Sequence, residues 1–270
     1  MASAQAKKPA QRPKPGTQFN VAPGSYLECT SRPMYALMFL LPLIAVYELG
    51  TLVVNTDQAA QTLVQKRVVA FIWLSRLAEW AGVKGGWAWA FPGFVVVVLL
   101  VCWQAVSRRP WEVRLWWLGG MALESVVFAL PLLALNAAIG SSVRTAAGGA
   151  GASSHLAQVV TGIGAGIYEE LVFRFILVGL VLLLLEDAFH VKPPLPALAA
   201  VFISAGLFAA HHYVGVAGGR LAVLEPFTVP GFVFRALAGL YFALLFRGRG
   251  YGVAAGTHAA YDILLTSFWG

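Results

Sequence analysis

The sequence predicts an all-α fold, a polytopic transmembrane helix bundle of about seven to eight spans, and three observations carry that prediction. Of its 270 residues, 59% are hydrophobic and 11% charged, against roughly 45–50% and 25% in an ordinary soluble domain. The apolar residues gather in runs that approach or exceed the roughly 17 to 25 needed to cross about 30 Å of hydrocarbon. Nine Trp, eight Tyr and seventeen Phe can furnish aromatic belts where spans meet the headgroups.

Residues 1–31 are rich in Pro, Ala and Lys and too polar to fold alone, which predicts a disordered basic tail. Lys7, Lys8, Arg12, Lys14 and Arg32 supply five of the positive charges behind the net +7. They precede the first apolar run, so the basic balance suits an anionic cytoplasmic leaflet, and nucleic acid is not an expected partner. The apolar run starts at Met34 with no small-residue cleavage site after it, which argues against a cleaved signal peptide.

Spans are predicted at 33–54, 87–107, 115–138, 156–185, 195–214, 230–246 and 251–268. Residues 67–83, "RVVAFIWLSRLAEWAGV", differ because Arg76 and Glu79 interrupt a short apolar stretch. They predict an amphipathic helix lying in the interface, with a short eighth span as the alternative. If that segment does not cross, "SRRPWEVR", "VKPP" and "RGRG" all fall on the tail's side, as the positive-inside rule favours. Cys29 and Cys102 are too far apart to suggest a disulfide framework or a metal-thiolate motif.

A charge at bilayer depth costs about 2.5–3.5 kcal/mol or more, so each needs a partner, a watery cavity or a task. Glu48, Glu124 and Arg235 are isolated, and interhelical hydrogen bonding or snorkelling accounts for them better than catalysis. Three clusters are harder to dismiss. In "EELVFR", Glu170 and Arg174 stand four apart and can pair on one helix face, leaving Glu169 turned away and free. In "FAAHH", Phe208 and His212 share a face, with His211 beside them. In "HAAYD", Asp262 stands one turn from His258, where a carboxylate can accept one imidazole proton and orient the other nitrogen.

Each cluster alone is also explained by satisfied polar groups. Converging in a bundle core, they offer what hydrolysis requires: a base for water, imidazoles to orient it or bind metal, and donors for an oxyanion. The ordered set E-E-x-x-x-R, F-x-x-x-H and H-x-x-x-N/D on successive apolar spans resembles the CPBP family of intramembrane proteases, which includes the CAAX prenyl endopeptidases and the bacteriocin-processing Abi proteins. The motifs run through residues 156–268, the expected catalytic bundle; residues 32–155 are expected to form N-terminal membrane helices. The last motif position is Asp262 where many members carry Asn.

The resemblance implies a membrane-embedded endopeptidase in which Glu169 activates water, His212 positions it, and His258 with Asp262 stabilises the oxyanion. Glu170 and Arg174 would support them. A divalent metal such as zinc at Glu169, His212 and His258 is left open, since the chain has no H-E-x-x-H helix and the same residues can position water alone. The expected partners are the lipid bilayer and a peptide or protein substrate, membrane-anchored or prenylated substrates included. The expected location is the cytoplasmic (inner) membrane of a bacterium. A catalytically silent immunity or scaffold protein of the same family, and a transporter or proton relay, are the alternatives.

Overall fold

With no water in the bilayer core to satisfy backbone N–H and C=O groups, an apolar run must bond to itself as a helix. The computed structural model describes residues 22–56, 69–83, 86–139, 155–217, 220–223 and 225–269, and helices dominate it. A short helix α1 (Tyr26–Thr30) leads into α2 (Pro33–Thr56), α3 (Val69–Trp80), α4 (Gly86–Ser107) and α5 (Trp116–Ile139). Next, α6 (His155–Glu170) continues through a π-helical stretch at Leu171–Val178, α7 (Gly179–Leu182) and a second π stretch at Leu183–Ala188. Then come α8 (Leu195–His211), a hairpin of β1 (Val214–Ala217) and β2 (Arg220–Val223), α9 (Val229–Arg249) and α10 (Tyr251–Trp269).

Among the described residues, four helices are long and apolar enough to cross a membrane, at Pro33–Val54, Ala90–Ser107, Trp116–Ile139 and Val229–Arg249, while Leu195–His211 is apolar but shorter. Helices α6 and α10 are not among them, although both were expected as spans. The reason is where they sit. Every residue from Val160 to Glu170 is buried, as is every residue from Tyr251 to Ala259. A helix enclosed by other helices can carry Gly, Thr, Glu and His, whereas the outer ones expose Leu49, Phe94, Leu123, Phe202 and Leu244 as a lipid-facing surface would require.

Other boundaries moved for local reasons. The predicted 195–214 span ends as a helix at His211, because the chain turns into β1, which pairs antiparallel with β2, Val214 opposite Val223. Helix α3 has 12 residues, roughly 18 Å at 1.5 Å per residue, too short for a straight crossing. Of the basic tail, residues 1–21 lie outside the described residues. From Ala22 the chain is ordered into α1, whose N-cap Ser25 accepts from the Glu28 N–H.

Glycine spacing sets the central contact. A Cβ at Gly166 would lie 2.5 Å from the Ala255 carbonyl oxygen and 2.7 Å from the Ala259 nitrogen, and one at Gly162 would lie 2.7 Å from Asp262 Cβ. Helices α6 and α10 therefore touch backbone to backbone. That contact carries the C-terminal end of α6 against the middle of α10.

Candidate active site

Glu169 and Glu170 end α6, both buried, and the helix widens into its π-helical stretch immediately after them. Such local widening is common where a helix must re-aim functional side chains. Glu170 Oε1 lies 3.1 Å from Arg174 Nη1, the pairing expected from their spacing. Arg174 Nη2 donates to the Gly239 carbonyl at 3.1 Å, and the guanidinium lies over the Phe208 ring at 4.1 Å. A fully buried arginine is thus held by a carboxylate, a carbonyl and an aromatic face.

The same Glu170 oxygen also takes His258, whose Nδ1 lies 2.9 Å away. This differs from the sequence expectation, in which Asp262 oriented that ring. Asp262 Oδ2 lies 3.9 Å from His258 Nε2, beyond hydrogen-bonding reach. The tight approach of α6 to α10 explains the change: it brings a carboxylate from the neighbouring helix closer than the one a turn away on the same helix. Phe242 stacks on the imidazole at 4.5 Å and fixes its plane.

Glu169 is turned about 100° around α6 from Glu170, and three imidazoles converge on it. His211 Nε2 lies 3.4 Å from its Oε1, and the Nε2 atoms of His212 and His258 each lie 4.0 Å from its Oε2. His211 was passed over in the sequence because the four-residue step from Phe208 selects His212. The helix ends between the two residues, so both rings turn their Nδ1 to the Phe208 carbonyl, and their centroids come within 4.0 Å. The adjacent pair "HH" at a helix end was the available signal. Trp73 of α3, also missed, packs edge-on against His211 at 6.1 Å.

Hydrogen-bond chemistry determines what the three rings present. A carbonyl oxygen only accepts, so the Nδ1 atoms of His211 and His212 carry the proton. The His258 Nδ1 donates to Glu170 in the same way. Each ring, when neutral, then turns an Nε2 lone pair towards the Glu169 carboxylate. Acceptors facing acceptors call for something electropositive between them: a proton, a water donating its hydrogens, or a cation. Glu169 Oε2 is buried and finds no hydrogen-bond partner among the described residues. A divalent cation suits this donor set, since Glu169, His211 and His212 offer ligand atoms all within 4.8 Å of one another. The grouping substitutes His211 for the expected His258.

The isolated charges found partners elsewhere. Glu124 accepts from Arg249 and from the Tyr26 hydroxyl, Glu48 accepts from Tyr168 at 2.9 Å, and Arg235 pairs with Glu225. The contacts of Glu124 and Glu48 are interhelical, as foreseen, whereas Arg235 pairs with a carboxylate on the bend before its own helix.

A buried carboxylate ringed by imidazoles has the groups needed to take a proton from water and orient it. Residues 151–264 match the family model described as type II CAAX prenyl endopeptidase Rce1-like, a family of membrane proteases. That is the family the three motifs resemble, and the matched segment contains Glu169, Glu170, Arg174, His211, His212, His258 and Asp262. No curated protein and no solved structure matches the chain.

Proposed function

We propose that the protein is an intramembrane endopeptidase whose reaction centre is Glu169. The observation that carries this reading is the convergence of three imidazole Nε2 atoms on one buried carboxylate. A water held there is oriented by the lone pairs of His211 and His212. Glu169 takes its proton as the oxygen attacks the peptide carbonyl and returns that proton to the departing amine. His258, its Nδ1 proton on Glu170, presents Nε2 to the developing oxyanion and donates to it when doubly protonated. Glu170 and Arg174 hold His258 and the π-helical turn in place, and Asp262 stands beside the ring, its Oδ2 3.9 Å from Nε2.

A divalent metal would be held by Glu169, His211 and His212, and when bound it would supply Lewis-acid polarisation of the water or the carbonyl. Substrates of the CAAX type, or other membrane-associated chain ends, suit a centre enclosed by apolar helices. The test is turnover of fluorogenic peptides, prenylated and unprenylated, by the purified protein in detergent with and without a chelator. Cleavage is the expected result, and its loss with chelator, restored by zinc, would assign the metal. Failure to cleave either class, with or without added zinc, would remove the reading in favour of a silent scaffold or a proton relay.

A further inference from the structure

Two helices long and apolar enough to cross the membrane meet at one connector: α4 ends at Ser107 and α5 begins at Trp116. Residues 108–115 therefore lie at the level of the headgroups. The connector is neither helix nor strand, yet buried side chains pin its backbone. Gln104, fully buried, donates from Nε2 to the Arg109 carbonyl at 2.9 Å and to the Pro110 carbonyl at 3.1 Å. The hydroxyl of buried Tyr35 accepts the Arg114 N–H at 3.0 Å, and Arg109 pairs with Glu28. An irregular stretch tied down at these points presents its other side chains from a fixed backbone.

Those other side chains are not used by the fold. Trp111, Leu115 and Trp116 are 53%, 66% and 73% exposed. Arg108 and Arg114 are also exposed, and among the described residues neither forms an ion pair, whereas Arg32, Arg109 and Arg249 nearby are held by Glu28 or Glu124. The Arg114 guanidinium lies over the Trp117 ring at 4.7 Å. A ring face supplies no acceptor oxygen, so the guanidinium N–H groups still call for one. Arg108 closes α4 with φ at 52°, in the left-handed region where a helix end ordinarily carries glycine. Arginine gives α4 no better ending than glycine would. Glu112, the carboxylate of the connector, is exposed and forms no ion pair among the described residues. Exposed indoles and a leucine beside unneutralised guanidiniums match a surface that is oily below and anionic above.

We propose that residues 108–116 form a binding site for an anionic phospholipid. Trp111, Leu115 and Trp116 lie among the upper acyl chains, and Arg108 and Arg114 take oxygens of the headgroup phosphate. This surface is separate from the reaction centre, and it binds lipid whatever the chain hydrolyses. The competing role is topological: charges that only orient the connector during insertion leave no headgroup preference in the finished protein.

Native mass spectrometry of the full chain in detergent, titrated with phosphatidylglycerol or with phosphatidylcholine of the same acyl chains, separates these roles. An arginine beside an anionic surface contributes about fivefold in affinity. Phosphatidylglycerol should therefore bind about twentyfold tighter than phosphatidylcholine, and Arg108→Gly combined with Arg114→Gln should remove most of that preference. Lys7→Gln with Lys8→Gln, which takes the same charge from the tail, should cost clearly less. Equal binding of the two lipids, a preference that survives in the connector variant, or an equal loss from the tail variant would overturn the proposal. Inorganic phosphate should not displace the bound lipid; displacement would assign the arginines to a soluble phosphate and overturn it as well. The lipid-free thermal midpoint of Arg108→Gly should be unchanged or higher, because glycine suits that φ. If the double variant does not fold, Arg108→Gly alone decides: a loss of about fivefold in phosphatidylglycerol affinity is expected, and no loss counts against the site.

Discussion

Glu170 is asked to do two things, and that makes it the sharpest residue-scale test of the site. It holds Arg174 at 3.1 Å and His258 at 2.9 Å, with both side chains of the ion pair fully enclosed. Glu170→Gln strands the guanidinium, and breaking a buried pair typically costs about 3–5 kcal/mol. The thermal midpoint should therefore fall first, with activity following, and Arg174→Gln added to the same protein should restore part of the stability. His211 makes a second prediction. If its Nε2 helps place water, His211→Ala should lower turnover by about 10²-fold or more, while a His211→Ala enzyme turning over at the full rate would return the role to His212 alone. The pairing of Glu170 with Arg174 and the freedom of Glu169 were legible because both follow from one helix's own periodicity. The His258 partner was not, because a carboxylate on another helix outcompeted the local Asp262, and no periodicity within α10 reports the distance to α6.

Helices α6 and α10 show the same limit one level up. Their low apolarity gave them weaker span signals than the outer helices, although they form the centre of the bundle, and glycines such as Gly162 and Gly166 permit close approach without naming what approaches. Gly166 meets the Ala255 carbonyl and the Ala259 nitrogen, so Gly166→Ala should push α10 away. Overpacking of this kind usually costs about 1–3 kcal/mol, and the His258–Glu170 hydrogen bond should loosen with it. A thermal midpoint and turnover unchanged in Gly166→Ala would contradict the close packing. At the other end of the chain, α1 is anchored by ion pairs that hydrophobic patterning does not report: Glu28 accepts from Arg32 and pairs with Arg109. Burial raises the Glu28 carboxyl, but the Arg32 hydrogen bond, the Gly24 N–H and the charges of Arg32 and Arg109 outweigh it and hold it below its ordinary value. A carboxyl depressed in the folded state stabilises above its unfolded pKa, and that contribution disappears as pH falls through the folded one. Midpoints measured from pH 6 downward should therefore fall less steeply in Glu28→Gln than in the unmutated protein; parallel curves would remove the anchor.

Across the whole molecule, those ion pairs also gather the basic segments. Arg109 meets Glu28, while Arg249 of the "RGRG" turn donates to the Leu27 carbonyl and the Thr30 hydroxyl. Segments from α1, the α4 to α5 connection and the end of α9 thus share one end of the bundle, the arrangement a seven-crossing topology requires. Cysteine-accessibility labelling should place "RGRG" on the cytoplasmic side; labelling from outside would invert the bundle and turn the hairpin face towards the cytoplasm. The overall class was legible because a chain this apolar has no soluble solution. The number of crossings was not, since α6 and α10 are enclosed by protein. The most direct test of the central claim is peptide turnover by the unmutated protein and by Glu169→Gln, side by side in the same detergent, with thermal midpoints recorded for both. Loss of a positioned general base should lower turnover by about 10²–10⁴-fold at an unchanged midpoint. A Glu169→Gln protein that cleaves at the unmutated rate would contradict the claim.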